Sequence, residues 1–195
     1  VGGSELARWS PPEGDLFHAA TERVRLALAD GGRIAGILWH QGESDAGDED
    51  LAASYPARLI GTLRALSSVC GNEDLPVVLG ELGVHFINTK DPRFTHIARV
   101  SAAIPEAART LGERGAVASA RGLGHNTDCL HFNAPAADEL GRRYAWKWLL
   151  LTGRADASLR FMVGNRLDPP LLSAEPATST GGSEGNVAET TAVLD

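Results

Sequence analysis

The chain has few cysteines, no long apolar run and no excess of positive charge. Its 195 residues include two cysteines, Cys70 and Cys129, and the formal net charge is −7. A single possible pair without CxxC spacing does not indicate a disulfide framework, so both thiols are predicted to be free. An acidic chain lacks the basic face typical of nucleic-acid-binding proteins, so no nucleic-acid partner is expected. No apolar run is long enough to span a bilayer, so no transmembrane segment is predicted.

Recognisable targeting signals are also lacking. The sequence shows no signal peptide and opens at Val1 without an initiator methionine, which leaves the compartment undetermined. The length and a hydrophobic content of 43% fit one domain with a substantial core. We expect this domain over residues 1–153 and a packed extension over 154–172, with a short strand at Leu159–Val163. Residues 173–195 are rich in Ser, Thr, Gly, Ala and Glu, which predicts a disordered tail.

Apolar periodicity within the first 153 residues predicts alternating helices and strands. Apolar residues at helical spacing predict helices at residues 15–30, 50–69, 95–111 and 135–151. Short apolar runs predict strands buried on both faces at residues 34–39, 76–81 and 116–119, and the Val1-Gly2-Gly3 segment reads as a strand end entering a turn. This alternation predicts an α/β fold with a parallel sheet and helices on both faces.

Polar residues with catalytic potential follow the first predicted strand and precede the last predicted helix. The motif that precedes the last predicted helix, Asp128-Cys129-Leu130-His131, has a carboxylate three residues before an imidazole. In serine hydrolases a carboxylate orients the imidazole that acts as general base, so the spacing predicts His131 as base and Asp128 as its partner. The same spacing also occurs in a capping cluster before a helix, with a histidine on the surface.

The first motif, His40-Gln41-Gly42-Glu43-Ser44-Asp45, directly follows a buried strand. Ligands bind beyond the carboxyl ends of parallel strands, so the motif is expected in a cleft. The amide of Gln41 can donate to the oxyanion that develops during acyl transfer, and the backbone N–H of Gly3 can supply a second donor. Glu43 and His40 are predicted to support the site. An ordinary polar loop between strand and helix remains the alternative.

A metal site is a further alternative. His125 and His131 together with Asp128 could bind a metal ion, although their spacing is not that of a diagnostic zinc signature. The favoured prediction contains no metal and no cofactor.

Taken together, these motifs resemble those of the SGNH-hydrolase superfamily. Within it, the chain resembles the group of sialate O-acetylesterases and carbohydrate esterase family 6. The resemblance covers roughly residues 1–150 and rests on Val1-Gly2-Gly3-Ser4, on the string from Gly36 to Asp45, on Asp128 to Phe132 and on Leu140 to Ala145.

The resemblance implies a flavodoxin-like fold of three layers and the removal of acetyl groups from sugars without a metal. It implies that His131 is the general base, that Asp128 is its partner, and that Gly3 and Gln41 lie at the oxyanion. It further implies that Glu43 supports the site. An acetylated carbohydrate or small ester is therefore the expected substrate.

A nucleophilic serine is the missing part. In the family the serine lies in a Gly-Gln-Ser-Asn segment upstream of the Gly-Gly-Ser block, and this sequence contains no such segment. We therefore expect an N-terminally truncated domain with an uncovered edge at the strand over 34–39 and little or no esterase activity. Ser4 could replace the nucleophile only in a rearranged loop, and Ser10 and Ser44 are no better placed. A noncatalytic, carbohydrate-binding relic of the fold is the alternative function.

Overall fold

A computed structural model of the protein describes residues 2–83 and 91–155. The predicted strand at Leu159–Val163, most of the predicted extension over 154–172 and the predicted tail over 173–195 lie outside the described residues, as does Val1. Gly2 and Gly3 form the turn that was expected at the start of the chain.

Helices and strands alternate along the described residues. The α-helices are α1 (Asp15–Ala29), α2 (Glu49–Val69), α3 (Ile97–Thr110) and α4 (Ala134–Leu151). The strands are β1 (Ile37–Trp39), β2 (Val77–Gly80) and β3 (Gly115–Ala118). Short 3-10 helices occupy Leu6–Trp9, Glu43–Asp45, Pro92–Phe94 and Gly112–Arg114.

The three strands form one parallel sheet in the order β1-β2-β3. Ile37 pairs with Val77 at the start of β1, and Val77 pairs with Gly115 at the start of β3. All three strands therefore end at the same edge of the sheet, and the segments that follow them meet there. The α/β fold with a parallel sheet is confirmed.

Helices pack on both faces of the sheet. Because successive side chains of a strand point to opposite sides, β2 contributes to a core cluster on each face. Val77 and Leu79 of β2 belong to the larger core cluster, which includes buried residues of α2 and α3. Val78, between them, belongs to the second cluster, which is formed largely by α4. All three of these β2 side chains are fully buried.

The prediction that the first strand is buried on both faces over residues 34–39 is wrong. Only Ile37–Trp39 is extended in the sheet, and Leu38 is 62% exposed. The reason is position, since β1 has a neighbour on one side only among the described strands. Among the strands that the structure describes, β1 is therefore an edge strand, as expected.

The apolar stripe of α1 is also less buried than its periodicity indicates. Phe17 is the buried residue of this helix, whereas Leu26 and Leu28 near its C-terminal end are exposed. α1 contacts the 3-10 helix at Leu6–Trp9 and α2. Helical spacing identifies the helix but does not show what covers its apolar side.

Candidate active site

Asp128 and His131 lie in direct contact in the β3–α4 loop, which comprises residues 119–133. His131 Nδ1 lies 2.8 Å from Asp128 Oδ2. An ionised carboxylate can only accept a hydrogen bond, so Nδ1 carries the proton and Nε2 keeps its lone pair. The two side chains are 71% and 46% exposed for His131 and Asp128 respectively, so Nε2 is open to a reacting group. The contact between the two side chains is the one that the spacing predicts, and their roles as general base and orienting carboxylate stay a prediction.

The second oxygen of Asp128 holds the backbone of the loop. Its Oδ1 accepts the N–H of Leu130 at 2.9 Å and that of His131 at 3.0 Å. The hydrogen bond from the His131 ring is the largest cause of the lowered pKa of Asp128, and the two backbone N–H groups add to it. The Asp128 carboxylate consequently stays ionised at neutral pH.

Local hydrogen bonds set the shape of the β3–α4 loop. The N–H of Asn126 donates to the carbonyl of His131 at 2.8 Å, and His125 and Phe132 form an isolated antiparallel bridge. Cys129 at the tip has φ 52, in the left-handed region. The side chain of Asn133 then accepts the N–H of Ala136 and caps α4. The Asp–His pair is thus carried by a small closed loop directly before a helix.

Gln41, in the β1–α2 loop of residues 40–48, is buried rather than open. Its Nε2 donates to the carbonyl of Ser4 at 3.0 Å and to Asp45 Oδ2 at 2.6 Å. Its Oε1 accepts the hydroxyl of Tyr55 at 3.1 Å, and the same hydroxyl lies 2.7 Å from the Gln41 carbonyl. The structure therefore brings Gln41 to the segment that contains Gly3. Both amide hydrogens are already engaged there.

Asp45 is the centre of this buried network. It is fully buried, and its Oδ2 also accepts the N–H of Leu6 at 2.9 Å. Arg58 of α2 lies 3.1 Å from its Oδ1 and supplies the opposite charge. A buried carboxylate is tolerated when it is paired and hydrogen-bonded, and both conditions hold. The network joins the N-terminal segment, the β1–α2 loop and α2.

Gly3 and Ser4 differ in accessibility. Gly3 is exposed with φ 66, and a Cβ built there would meet nothing within 4 Å. Its backbone can therefore be approached by a ligand. Ser4 is 5% exposed, and its Oγ accepts the indole N–H of Trp9 at 2.9 Å. The Ser4 hydroxyl is thus directed into the protein.

His40 connects the two motifs. Its ring packs edge-on against that of Phe132, the residue after His131, with 5.8 Å between centroids. His40 Nδ1 lies 3.2 Å from the hydroxyl of Tyr144 in α4, and Nε2 lies 3.9 Å from Glu43 Oε1. The β1–α2 and β3–α4 loops therefore meet side by side at the carboxyl edge of the sheet.

A family model described as carbohydrate esterase, sialic acid-specific acetylesterase matches residues 1–149. The chain belongs to this family. Membership confirms the resemblance drawn from the motifs and relates the chain to esterases that act on carbohydrates.

Solved structures place this esterase family member in a known fold. A crystal structure of a protein from Arabidopsis thaliana at 1.6 Å resolution matches with a TM-score of 0.61 and 22% identity. The match covers 79% of this chain and 59% of that protein, so the chain spans less than two thirds of its length. No curated protein sequence matches. The similarity supports the flavodoxin-like α/β fold.

Other predictions about this esterase family member concern its thiols, metals and membranes. Cys70 and Cys129 are free, as predicted. Within residues 2–83 and 91–155, no group of three or more His, Cys, Asp or Glu side chains is arranged to hold a metal ion. His125 instead directs Nδ1 to the carbonyl of Asn126 at 2.8 Å. No helix in the same ranges has the length and apolar character needed to cross a membrane.

The sequence did not predict several residues that hold the site together. Asp45, Tyr55, Arg58 and Tyr144 hold the predicted residues in place, but three of their contacts join positions 14 to 105 residues apart. Asp45 stands in the string that carries the resemblance, which is the one signal that could have drawn attention to it. Tyr144 lies in the last predicted helix and within the Leu140–Ala145 string that also carries the resemblance.

Proposed function

We propose that this chain carries the base, the orienting carboxylate and the cleft of a carbohydrate O-acetylesterase. The observation that carries the proposal is the contact of His131 Nδ1 with Asp128 Oδ2 at 2.8 Å, in a mostly exposed side chain whose Nε2 has no partner in this contact. The next residue, Phe132, packs against His40 of the β1–α2 loop. Family membership supports an ester of a sugar as substrate.

The proposed mechanism is double displacement. A serine hydroxyl attacks the acetyl carbonyl while His131 Nε2 takes its proton, and the imidazolium then returns that proton to the departing sugar oxygen. Water attacks the acetyl-serine with the same imidazole as base, the proton passes to the serine oxygen, and acetate leaves. Asp128 stabilises the imidazolium and fixes its tautomer throughout.

The nucleophile is proposed to lie outside these 195 residues, in a Gly-Gln-Ser-Asn segment. Among the described residues, the ring of His131 hydrogen-bonds to Asp128 and to no serine. Ser4 Oγ accepts the indole N–H of Trp9, and Ser10 Oγ donates to the Leu6 carbonyl and lies 3.0 Å from Thr62 Oγ1. Neither is directed toward the base.

The oxyanion is proposed to be bound by the backbone N–H of Gly3 and by Gln41. Gln41 can contribute only by exchanging one of its two present acceptors, because both amide hydrogens are donated internally. The Ser4 carbonyl is the acceptor to exchange, since the bond to Asp45 is the shorter one.

Turnover of p-nitrophenyl acetate tests the proposal. The 195-residue chain is expected to show little or no activity, and a chain extended at Val1 by a segment containing Gly-Gln-Ser-Asn is expected to be active. Strong turnover by the unextended chain that is lost in Ser4→Ala would instead make Ser4 the nucleophile.

Carbohydrate binding without catalysis is the second candidate. Both amide hydrogens of Gln41 are donated within the protein, which favours binding without catalysis. A preorganised oxyanion donor is expected to have an N–H free for the substrate. Glycan binding without turnover, even by the extended chain, is the result that would establish it.

A further inference from the structure

The hydrogen bonds of Tyr144 determine which nitrogen of His40 carries a proton. A tyrosine hydroxyl has one hydrogen, and that of Tyr144 is donated to the carbonyl of Trp39 at 2.6 Å. The hydroxyl can therefore only accept from His40 Nδ1, which lies 3.2 Å away. Neutral His40 consequently carries its proton on Nδ1, and Nε2 has a lone pair.

This lone pair faces a second hydrogen-bond acceptor. Nε2 lies 3.9 Å from Glu43 Oε1, which is too long for a hydrogen bond. A neutral imidazole has no hydrogen to place between the two atoms. The side chains are 30% and 28% exposed, so both reach the surface of the protein. Each of the two acceptors can take a hydrogen bond from a hydroxyl group of a bound molecule.

The fold makes specific room for this arrangement. A Cβ at Gly80 in β2 would collide with the Tyr144 hydroxyl and with His40 Nδ1. The His40 ring is held on another side by Phe132. Partial burial lowers the pKa of His40 despite the opposing effect of Glu43, which favours the neutral ring. The ring is therefore fixed in position and in tautomer.

We propose that His40 Nε2 and the Glu43 carboxylate form a pair of acceptors that binds free hydroxyl groups of the acetylated sugar. Tyr144 is the positioning residue that keeps Nε2 as an acceptor. The pair selects partly acetylated sugars over esters without hydroxyl groups. The identity of the ligand rests on the proposed function, whereas the tautomer and the hydroxyl preference do not require ester hydrolysis.

Nitrogen-15 NMR of the 195-residue chain tests the tautomer directly. The unliganded protein is expected to show His40 with a protonated Nδ1 and an unprotonated Nε2. In Tyr144→Phe, Nδ1 loses its acceptor, and the signals are expected to move toward the other tautomer or an average. A protonated Nε2 in the unsubstituted chain, or signals unchanged in Tyr144→Phe, would overturn the role of Tyr144.

Binding of two probes tests the acceptor pair. A mono-O-acetylated methyl glucoside is expected to bind roughly three- to tenfold more tightly than the fully acetylated glucoside, which has no hydroxyl to donate. Binding should shift the His40 Nε2 signal. The preference should be lost in His40→Ala and reduced in Tyr144→Phe, while His18→Ala on α1 should retain it.

The outcomes separate this inference from the esterase proposal. Equal affinity for the two probes, no binding of either, or a preference retained in His40→Ala would overturn the acceptor pair. Absence of turnover in the serine-extended chain together with a retained hydroxyl preference would overturn the esterase proposal and leave the acceptor pair standing.

Discussion

The two loops that form the candidate site are built in opposite ways. The β1–α2 loop directs Gln41 and Asp45 inward, where they are 9% and 0% exposed, and it bonds to Ser4, Leu6 and Arg58.

The β3–α4 loop directs Asp128 and His131 outward, and their hydrogen bonds stay within residues 126–131. One loop is therefore part of the core, whereas the other presents the Asp128–His131 pair at the surface on a closed local turn. The difference predicts that substitutions in the first loop alter folding and substitutions in the second alter chemistry.

Replacement of His131 should produce the largest effect and should separate activity from stability. In a serine-extended, active chain, His131→Ala is expected to lower kcat/KM for p-nitrophenyl acetate by roughly 10⁴- to 10⁶-fold, because members of a triad act together. The melting temperature should change little, since the ring is mostly exposed.

His125→Ala, in the same loop, is the matched control and should retain activity. An equal loss in both variants, together with inhibition by a chelator, would contradict the serine mechanism and favour a metal site.

Removal of Asp45 should have the opposite outcome. Asp45→Ala leaves the N–H of Leu6, one amide hydrogen of Gln41 and the guanidinium of Arg58 without their acceptor. The free energy of unfolding is expected to fall by about 3–5 kcal/mol, measured by urea denaturation.

Asp50→Ala on the exposed first turn of α2 should change the free energy of unfolding by less than about 0.5 kcal/mol. If Asp45→Ala changed the free energy of unfolding as little as Asp50→Ala, the β1–α2 loop would not depend on the buried Asp45 network for its stability.

The sequence predicts the helices that follow the two loops better than the contacts that the loop residues make. Periodicity locates α2 and α4 to within one residue at each end, and the side chain of Asp48 accepts the N–H of Leu51 as the N-cap of α2. The Asp128–His131 contact is local, so spacing alone predicts it. The partners of Gln41 are distant in sequence, and an alternation of polar and apolar residues carries no information about them.

Acid titration should distinguish Asp128 from an ordinary surface carboxylate by its lower pKa. The folded pKa of Asp128 lies below its unfolded value, so the stability that it contributes is complete above about pH 4 and is lost as the pH falls through the folded pKa. Carbon-13 NMR of the carboxyl group should show this low pKa.

His131→Ala should raise the pKa of Asp128 toward the usual value, because the His131 ring is the largest cause of the shift. An unchanged pKa in that variant would assign the shift to the backbone N–H groups of the loop instead.

Cys129 offers the smallest test, at the tip of the exposed loop. Its φ of 52 costs a residue with a Cβ about 1 kcal/mol, a cost that glycine avoids. Because glycine also increases the entropy of the unfolded chain, Cys129→Gly is expected to raise the free energy of unfolding by only about 0.5 kcal/mol. Cys129→Ala keeps a Cβ at the same φ and should give no such gain. If glycine were instead the less stable of the two, the left-handed turn would not be what closes the loop around the Asp128–His131 pair.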